Sequence, residues 1–523
     1  MLLPDLLEDA ARRWPDKLAA VFPRHAATFA QLDHQSLAVA HHLQRRGIGP
    51  STRVAILYDN TLAALVYYWG ILRSGATTVD IASTASPATV AEALAEAQPR
   101  ALAIQPHLLK RMVAERFVTC PDIVLSTADA SEVAAPLRAR GRSLQALEDI
   151  LETTDVAGPL PRPDPSCVAM CIYTSGTTGR PKGVMLSHDN LLFNTSAFNS
   201  RIGLTDRDSL LLVAPLHYIH GRIQLLTYTM VGGTLFFSAG FRFPQTVVHE
   251  LVRYAATGLS GVPYHFSMLL GHSRLKSTPL PHLRDLVITG GALAPARLRE
   301  LQDALPHVAL HLNYGLTEAS PRLTYLGPSR EVFARPTSCG RALPGVTIEI
   351  LGAHDEALPP GTVGEVVAGG PGIMKGYVSG DERTSGRIDE HGRLRTGDLG
   401  YLDAEGYVFL SGRSSDMIKT AGERLFPLEV EQILETHPSV GESAVFGVPD
   451  PLLGERVVAC VVPAPGHAPS PEGLKSHCLK ALPYLRIPKE VYVVPELPKT
   501  PSGKIRHDAL RLRFASSLDE ALA

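Results

Sequence analysis

Apolar positions in the first half of the chain alternate between two spacings. Leu37, Ala40 and Leu43 fall on one helical face that Gly47 ends, and Val54-Ala-Ile-Leu57 follows as a short strand. Thr61 to Ser74 is helical again, with Leu62, Leu65 and Leu72 on one side and Gly75 as the stop. This rhythm predicts an α/β fold in which helices pack over sheets. Pro159, Pro161, Pro163 and Pro165 crowd the stretch from Gly158 to Ser166 and forbid both a helix and a central strand there. That stretch reads as an extended connection into an apolar strand, Val168 to Tyr173.

After Val346 the texture shifts to short strands and turns. Thr347-Ile-Glu-Ile350, Gly364-Glu-Val-Val367 and Tyr407-Val-Phe-Leu410 read as strands, and Asp403-Ala-Glu-Gly406 as a turn. A helix from Glu429, carrying Val430, Ile433 and Leu434, then leads into strands at Ser443–Val448 and Val457–Val462. The pattern predicts a large N-terminal α/β domain of several sheets, residues 1–412, and a small C-terminal α+β domain, residues 413–523.

Composition narrows the partners. At 523 residues the chain exceeds the usual single core. With 20% charged residues and a net charge of −2 it has no basic surplus for nucleic acid or a membrane surface, so any polyanion must be held locally. The 6 cysteines, Cys120 among them, form no CxxC pair and read as reduced, mostly buried thiols. Acidic residues near the start, where a signal peptide needs a basic flank, and the brevity of the apolar run Leu62–Leu72 make a cytoplasmic protein the expectation.

The strongest local signal is Tyr173-Thr-Ser-Gly-Thr-Thr-Gly-Arg-Pro-Lys-Gly183. Gly176, Gly179 and Gly183 let a backbone turn sharply and bring its N–H groups to an anion. Thr174, Ser175, Thr177 and Thr178 add hydroxyl donors, and Lys182 adds charge, which together suit a polyphosphate. The spacing is not that of a Walker loop, because Gly183 follows the lysine where a Ser or Thr is required. Four further motifs follow in order: Asn313-Tyr-Gly-Leu-Thr-Glu318, Thr396-Gly-Asp398, Gly412-Arg-Ser-Ser-Asp416 with Lys419 and Gly422, and Pro498-Lys-Thr-Pro-Ser-Gly-Lys504. Tyr314 offers an aromatic face for a base, and Thr317 with Glu318 sets a hydroxyl beside a carboxylate suited to a hard cation such as magnesium. Asp398 follows Thr-Gly and reads as a turn residue.

This ordered set closely resembles the adenylate-forming superfamily of acyl-CoA synthetases, adenylation domains and luciferases, over nearly the whole chain. The resemblance implies ATP and Mg2+ as cofactors, conversion of a carboxylic acid to acyl-AMP with release of pyrophosphate, and transfer of the acyl group to a thiol. That thiol is coenzyme A or, as the alternative, the phosphopantetheine of an acyl- or peptidyl-carrier protein acting in trans. By resemblance Tyr314 stacks on adenine within Asn313-Tyr-Gly315, Thr317 contacts phosphate, and Glu318 binds the metal with Thr174. Thr289-Gly-Gly-Ala292, with Gly291 and Ala292, matches the loop beside the adenine and the acyl group, where Gly315 also belongs. Asp398, helped by Arg413, accepts from both ribose hydroxyls, as a carboxylate with two oxygens and no donor can.

Lys504 is assigned to the first half-reaction, where its charge bridges two anions. Ser415 matches the hinge about which the small domain swings, although the family usually has Asp or Lys there. Gly422 belongs to the thiol tunnel on the other face of that domain. Tyr218 and Ile219 match the acyl pocket, and Ile219 stands where amino-acid-activating members often carry an Asp, which disfavours α-amino acids. His217, His220 and Arg222 either face that pocket or pack, and Arg322 is a candidate reader of a polar group on the acid. Intact Lys504, Glu318 and Asp398 argue against a catalytically inactive nucleotide-binding homologue.

Overall fold

The structure, a computed structural model, describes residues 1–114, 121–175, 181–238, 240–241, 243–380, 384, 386–421, 423–450, 452–464, 466–500 and 505–519. Cys120, Gly176, Thr177, Thr178, Gly179, Gly422 and Lys504 lie outside the described residues.

Strands Arg53–Leu57 and Ala101–Ile104 carry apolar side chains on both faces, a pattern that requires cover on both sides of a sheet. They lie inside a first sheet ordered Gly376–Tyr377, Pro181–Ser187, Val168–Ser175, Thr77–Asp80, Arg53–Leu57, Ala101–Ile104, Ile123–Ser126 and Ser143–Ala146. Its first two junctions are antiparallel and the others parallel. A second sheet runs Ala309–Asn313, Asp285–Thr289, Gly258–Gly261, Ser209–Leu212, Thr234–Phe237, Leu18–Val21 and Ala26–Thr28, parallel except at the last junction.

Helices Phe29–Arg45 and Leu62–Arg73 pack on each other, and both end where Gly47 and Gly75 adopt φ of 72° and 83°. Leu62–Arg73 is buried on all sides from Ala64 onward, which suits its lack of a polar face. Arg73 is carried inside with it, and pairs with Asp33 and Glu8.

A third, antiparallel sheet contains Thr347–Leu351, Gly364–Gly369, Leu394–Leu402 and Val408–Arg413. Asp398 belongs to the third of these strands and not to a turn. Gly397 has φ of 73° inside the strand, so the Thr-Gly-Asp sequence marks an irregularity in the ladder.

Beyond Ile418 the strands build a separate sheet from Glu423–Leu425, Ile418–Thr420, Gly454–Pro463, Val440–Asp450 and Glu490–Val493. Alternation sends Val445, Val457, Ala459 and Val461 to one face, beneath helices Pro427–Leu434 and Pro471–Leu479. Ala444, Phe446, Val458 and Cys460 point to the other, where Leu510 of helix His507–Asp519 covers them. Among the described residues no helix is long and apolar enough to cross a membrane.

Candidate active site

In the second sheet, strands Asp285–Thr289 and Ala309–Asn313 end together, and parallel sheets place ligands outside such carboxyl ends. Thr289 and Asn313 are register partners there, and Thr289 Oγ1 donates to Asn313 Oδ1 at 2.6 Å. Gly290, Gly291 and Ala292 continue from Thr289 as exposed backbone, so their loop borders the crevice.

From Asn313 the chain enters a loop that closes on itself. Tyr314 N donates to Thr324 Oγ1 at 3.1 Å, and Tyr314 O accepts from Leu323 N at 2.8 Å and Thr324 N at 3.1 Å. Gly315 is required by this closure, since a Cβ there would stand 1.7 Å from Pro321 O. Tyr314 is thereby buried, and its hydroxyl donates to Asp398 Oδ2 at 2.6 Å. Arg413 Nε donates to the other oxygen, Asp398 Oδ1, at 3.1 Å. That ion pair follows from register, because Asp398 and Arg413 face each other across neighbouring strands. Burial, reinforced by the Asp398 carboxylate, pushes the Tyr314 phenol well above its ordinary range, so it stays a neutral donor.

Thr317 and Glu318 sit in the short 3-10 turn Thr317–Ala319. Tyr377 Oη donates to Glu318 Oε1 at 2.7 Å, and Met374 N donates to the Glu318 carbonyl at 2.9 Å. Lys182 Nζ lies 5.7 Å from the centre of the Tyr377 ring. Thr174 and Lys182 are cross-strand partners in the hairpin leading into and out of the glycine-rich segment, and Thr174 Oγ1 donates to Lys182 O at 3.5 Å. The hairpin and Glu318 are therefore joined through Tyr377, a residue no sequence motif singled out. Ser175 ends the incoming strand.

A divalent cation fits at Glu318. Its Oε2 has no hydrogen-bond partner among the described residues, and a carboxylate oxygen is the hard donor magnesium prefers. Among the described residues no three His, Cys, Asp or Glu cluster into a site of their own, so such an ion would take most of its oxygens from phosphate.

Ser415 lies in the 3-10 turn Ser414–Asp416, directly after Arg413, and its hydroxyl donates to Asp416 Oδ1 at 3.2 Å. The flanks of Lys504 are described: Lys499 and Ile505 form an antiparallel bridge, and Lys499 Nζ stands 3.9 Å from the ring centre of Tyr264. Tyr264 belongs to helix Pro263–His272, which follows strand Gly258–Gly261 of the second sheet.

In the segment expected to shape the acyl pocket, Tyr218 and Ile219 begin helix Ile219–Val231 and are partly exposed. His217 is buried edge-on against Tyr218, and burial pushes it down to about 4. His220 is partly exposed one residue into the helix; its Nε2 and Ser260 Oγ are 2.8 Å apart, and Gln224 Nε2 donates to the same Oγ at 3.0 Å. Burial, with Arg322 and His265 adding positive charge, pushes His220 down to about 3, so both histidines are neutral. Arg222 turns the other way. It pairs with buried Asp80 at 2.5 Å and lies 3.9 Å from the ring centre of Tyr68. Gln224 was legible as the i+4 neighbour of His220 on a helix; Ser260, far away in sequence, was not.

Residues 7–378 match the family model for AMP-binding enzymes, and residues 429–504 match the C-terminal domain of AMP-binding enzymes. Among similar proteins are an oxalate–CoA ligase of Arabidopsis thaliana, 31% identical over 98% of this chain and 98% of the relative, and a feruloyl-CoA synthase of Amycolatopsis, 32% identical over 96% and 98%. Among solved structures, ATP-bound MatB from Rhodopseudomonas palustris superposes with a TM-score of 0.86 at 27% identity, covering 98% of this chain and 99% of that one.

Proposed function

The chain belongs to the AMP-binding enzymes, and from that premise we propose that it activates a carboxylic acid with ATP and transfers the acyl group to coenzyme A. The observation that carries the reading is the meeting of Tyr314, Asp398 and Arg413 at the carboxyl ends of the second sheet, beside the Glu318–Tyr377–Lys182 group.

In the first half-reaction an oxygen of the acid's carboxylate forms a bond to the α-phosphorus of ATP. The bond from that phosphorus to the bridging oxygen breaks, and pyrophosphate leaves. In the second, the thiol gives its proton to water, its sulfur forms a bond to the acyl carbon, the bond from that carbon to the phosphate oxygen breaks, and AMP leaves. Asp398, held by Tyr314 and Arg413, presents its carboxylate to the ribose hydroxyls. Tyr377 holds one oxygen of Glu318 and leaves the second free to take a cation, and Lys182 would add positive charge near the leaving phosphates. When bound, Mg2+ would be held by Glu318 and would offset charge on the phosphate oxygens. The crevice needs no acid–base residue, because positioning and electrostatics dominate this class of transfer.

Lys504 approaches in the first half-reaction, and a swing about Ser415 brings Gly422 toward the thiol in the second. For the first of these motions the support is Lys499, five residues before Lys504, which lies against Tyr264 of the large domain. Simple acids are preferred to α-amino acids, because Asp80, the buried carboxylate beside the start of the pocket helix, is taken by Arg222. The test is pyrophosphate release over aliphatic, aromatic, hydroxy and amino acids, with thioester read by mass spectrometry after adding coenzyme A or a phosphopantetheinylated carrier protein. ATP-dependent release followed by acyl-CoA supports the reading. Release with thioester on the carrier protein alone would move the acceptor to the carrier. No release with any acid would overturn it.

A further inference from the structure

Two arginines are buried near the acyl pocket, and the fold treats them differently. Arg222 has Asp80 as its counter-ion and Tyr68 beneath it. Arg322 is equally buried, at 2% exposure, yet no Asp or Glu lies within ion-pair distance of it among the described residues. Its Nη1 donates to Thr227 Oγ1 at 3.2 Å, its guanidinium lies 3.8 Å from the ring centre of Phe198, and its Nη2 has no hydrogen-bond partner among those residues. Burying a cation without a counter-ion is among the costliest arrangements a core can hold.

The surroundings place this charge between the Tyr314 loop and the pocket helix. Gly315, beside Tyr314, packs so closely on the segment before Arg322 that a Cβ there would lie 3.0 Å from the Arg322 Cα. Asn194 Nδ2 donates to the carbonyls of Ala319 and Arg322, at 3.2 and 2.7 Å, and fixes the turn. Thr227 lies on helix Ile219–Val231, whose first residues adjoin the crevice, and at helical spacing it shares a face with His220 and Gln224. A polar stripe thus runs inward from partly exposed His220 to Arg322. The groups that face the guanidinium supply no anion. Thr227 is a hydroxyl, burial holds Tyr228 above its ordinary range, and His220 is neutral. Desolvation also pushes Arg322 itself down to about 9.

We propose that the acid this enzyme activates carries a second anionic group, a carboxylate or a sulfonate, and that Arg322 binds it through the unpartnered Nη2. The proposal rests on the acid-activating function above and names its substrate class. An arginine suits the task because its charge persists and its donors match the oxygens of such groups.

The experiment compares kcat/KM for pyrophosphate release with matched acids: oxalate, malonate, succinate, glutarate and sulfoacetate against acetate, propionate, butyrate, benzoate and ferulate. At least one doubly anionic acid should exceed every singly charged one by about tenfold or more. In Arg322→Met the ratio of the best doubly anionic acid to its matched monoacid should fall by about 30-fold or more, the scale of losing one partner of a buried charge pair. Arg322→Lys, which keeps the charge, should restore part of that ratio. A sulfonate-only or carboxylate-only response identifies the second group, and either supports the proposal. Activity confined to singly charged acids in the unmodified protein overturns it and leaves the ligase function standing. The proposal also falls if Arg322→Met folds and lowers both acids equally, since a packing role moves no ratio. No release with any acid would overturn the function and the proposal together.

Discussion

Replacing Tyr314 with phenylalanine removes one oxygen and keeps the ring. In the structure that oxygen donates to Asp398 Oδ2 at 2.6 Å, leaving Arg413 Nε at 3.1 Å as the other side-chain partner of the carboxylate. Hydrogen bonds to charged groups contribute about 1.5–3 kcal/mol, and about 1.4 kcal/mol is a factor of ten in binding. If the bond serves to aim Asp398 at the ribose, Tyr314→Phe should raise the KM for ATP about tenfold to a hundredfold. The kcat should change little, because the ribose contact is the same in ground and transition states. Pyrophosphate release at varied ATP measures this. The decisive arm substitutes 2′,3′-dideoxy-ATP, which has no ribose hydroxyls to offer. Against that nucleotide the variant and the unmodified protein should differ by less than about threefold, because there is no contact left for a misaimed Asp398 to lose. An equal penalty with both nucleotides would refute the reasoning and mean that the hydroxyl only supports the fold.

Three other outcomes are expected. Gly315→Ala places a carbon 1.7 Å from a backbone oxygen that cannot yield, so denaturant unfolding should show a loss of about 1–3 kcal/mol, and unchanged stability would contradict the closure of the loop. Burial pushes Glu431 up to about 8 and Glu435 up to about 7, from unfolded values near 4.5; their contribution is full below about pH 4.5 and is lost as pH rises toward 8. Glu431→Gln, neutral at every pH, should therefore raise the thermal midpoint at pH 8.5 and have little effect at pH 5; a gain confined to pH 5 would reverse the sign. Lys504→Ala should slow acyl-AMP formation by about a hundredfold yet make thioester from supplied acyl-AMP at nearly the normal rate, and equal loss in both steps would argue against alternation of the small domain.

Elements were legible where one local rule was enough. Leu62–Arg73 announced itself by apolar content and a glycine stop, and the strands beyond Val346 by alternation and turns. Asp398 was misplaced because Thr-Gly-Asp has the chemistry of a turn, while the deciding fact, pairing with a strand 15 residues on, is tertiary. Motifs named Tyr314, Glu318 and Asp398 as site residues, but not the bonds that orient them. Tyr314 and Asp398 are 84 residues apart, and Glu318 and Tyr377 are 59 apart. Whether Arg222 faces the pocket or packs stayed open in the sequence, because what settles it is Asp80, 142 residues before it.

Helix Ile219–Val231 is fastened on both sides. Arg222 ties it to Asp80 in the first sheet, and His220 and Gln224 tie it to Ser260 in the second. Opening the gap between the sheets would strand a buried charge, at about 3–5 kcal/mol, before any new contact formed. Mechanically the helix is a strut, not a spring. Pyrophosphate release should therefore drop sharply, not gradually, as acids outgrow the space beside it. A change of preference then comes from exchanging side chains on a fixed frame and not from letting the frame breathe.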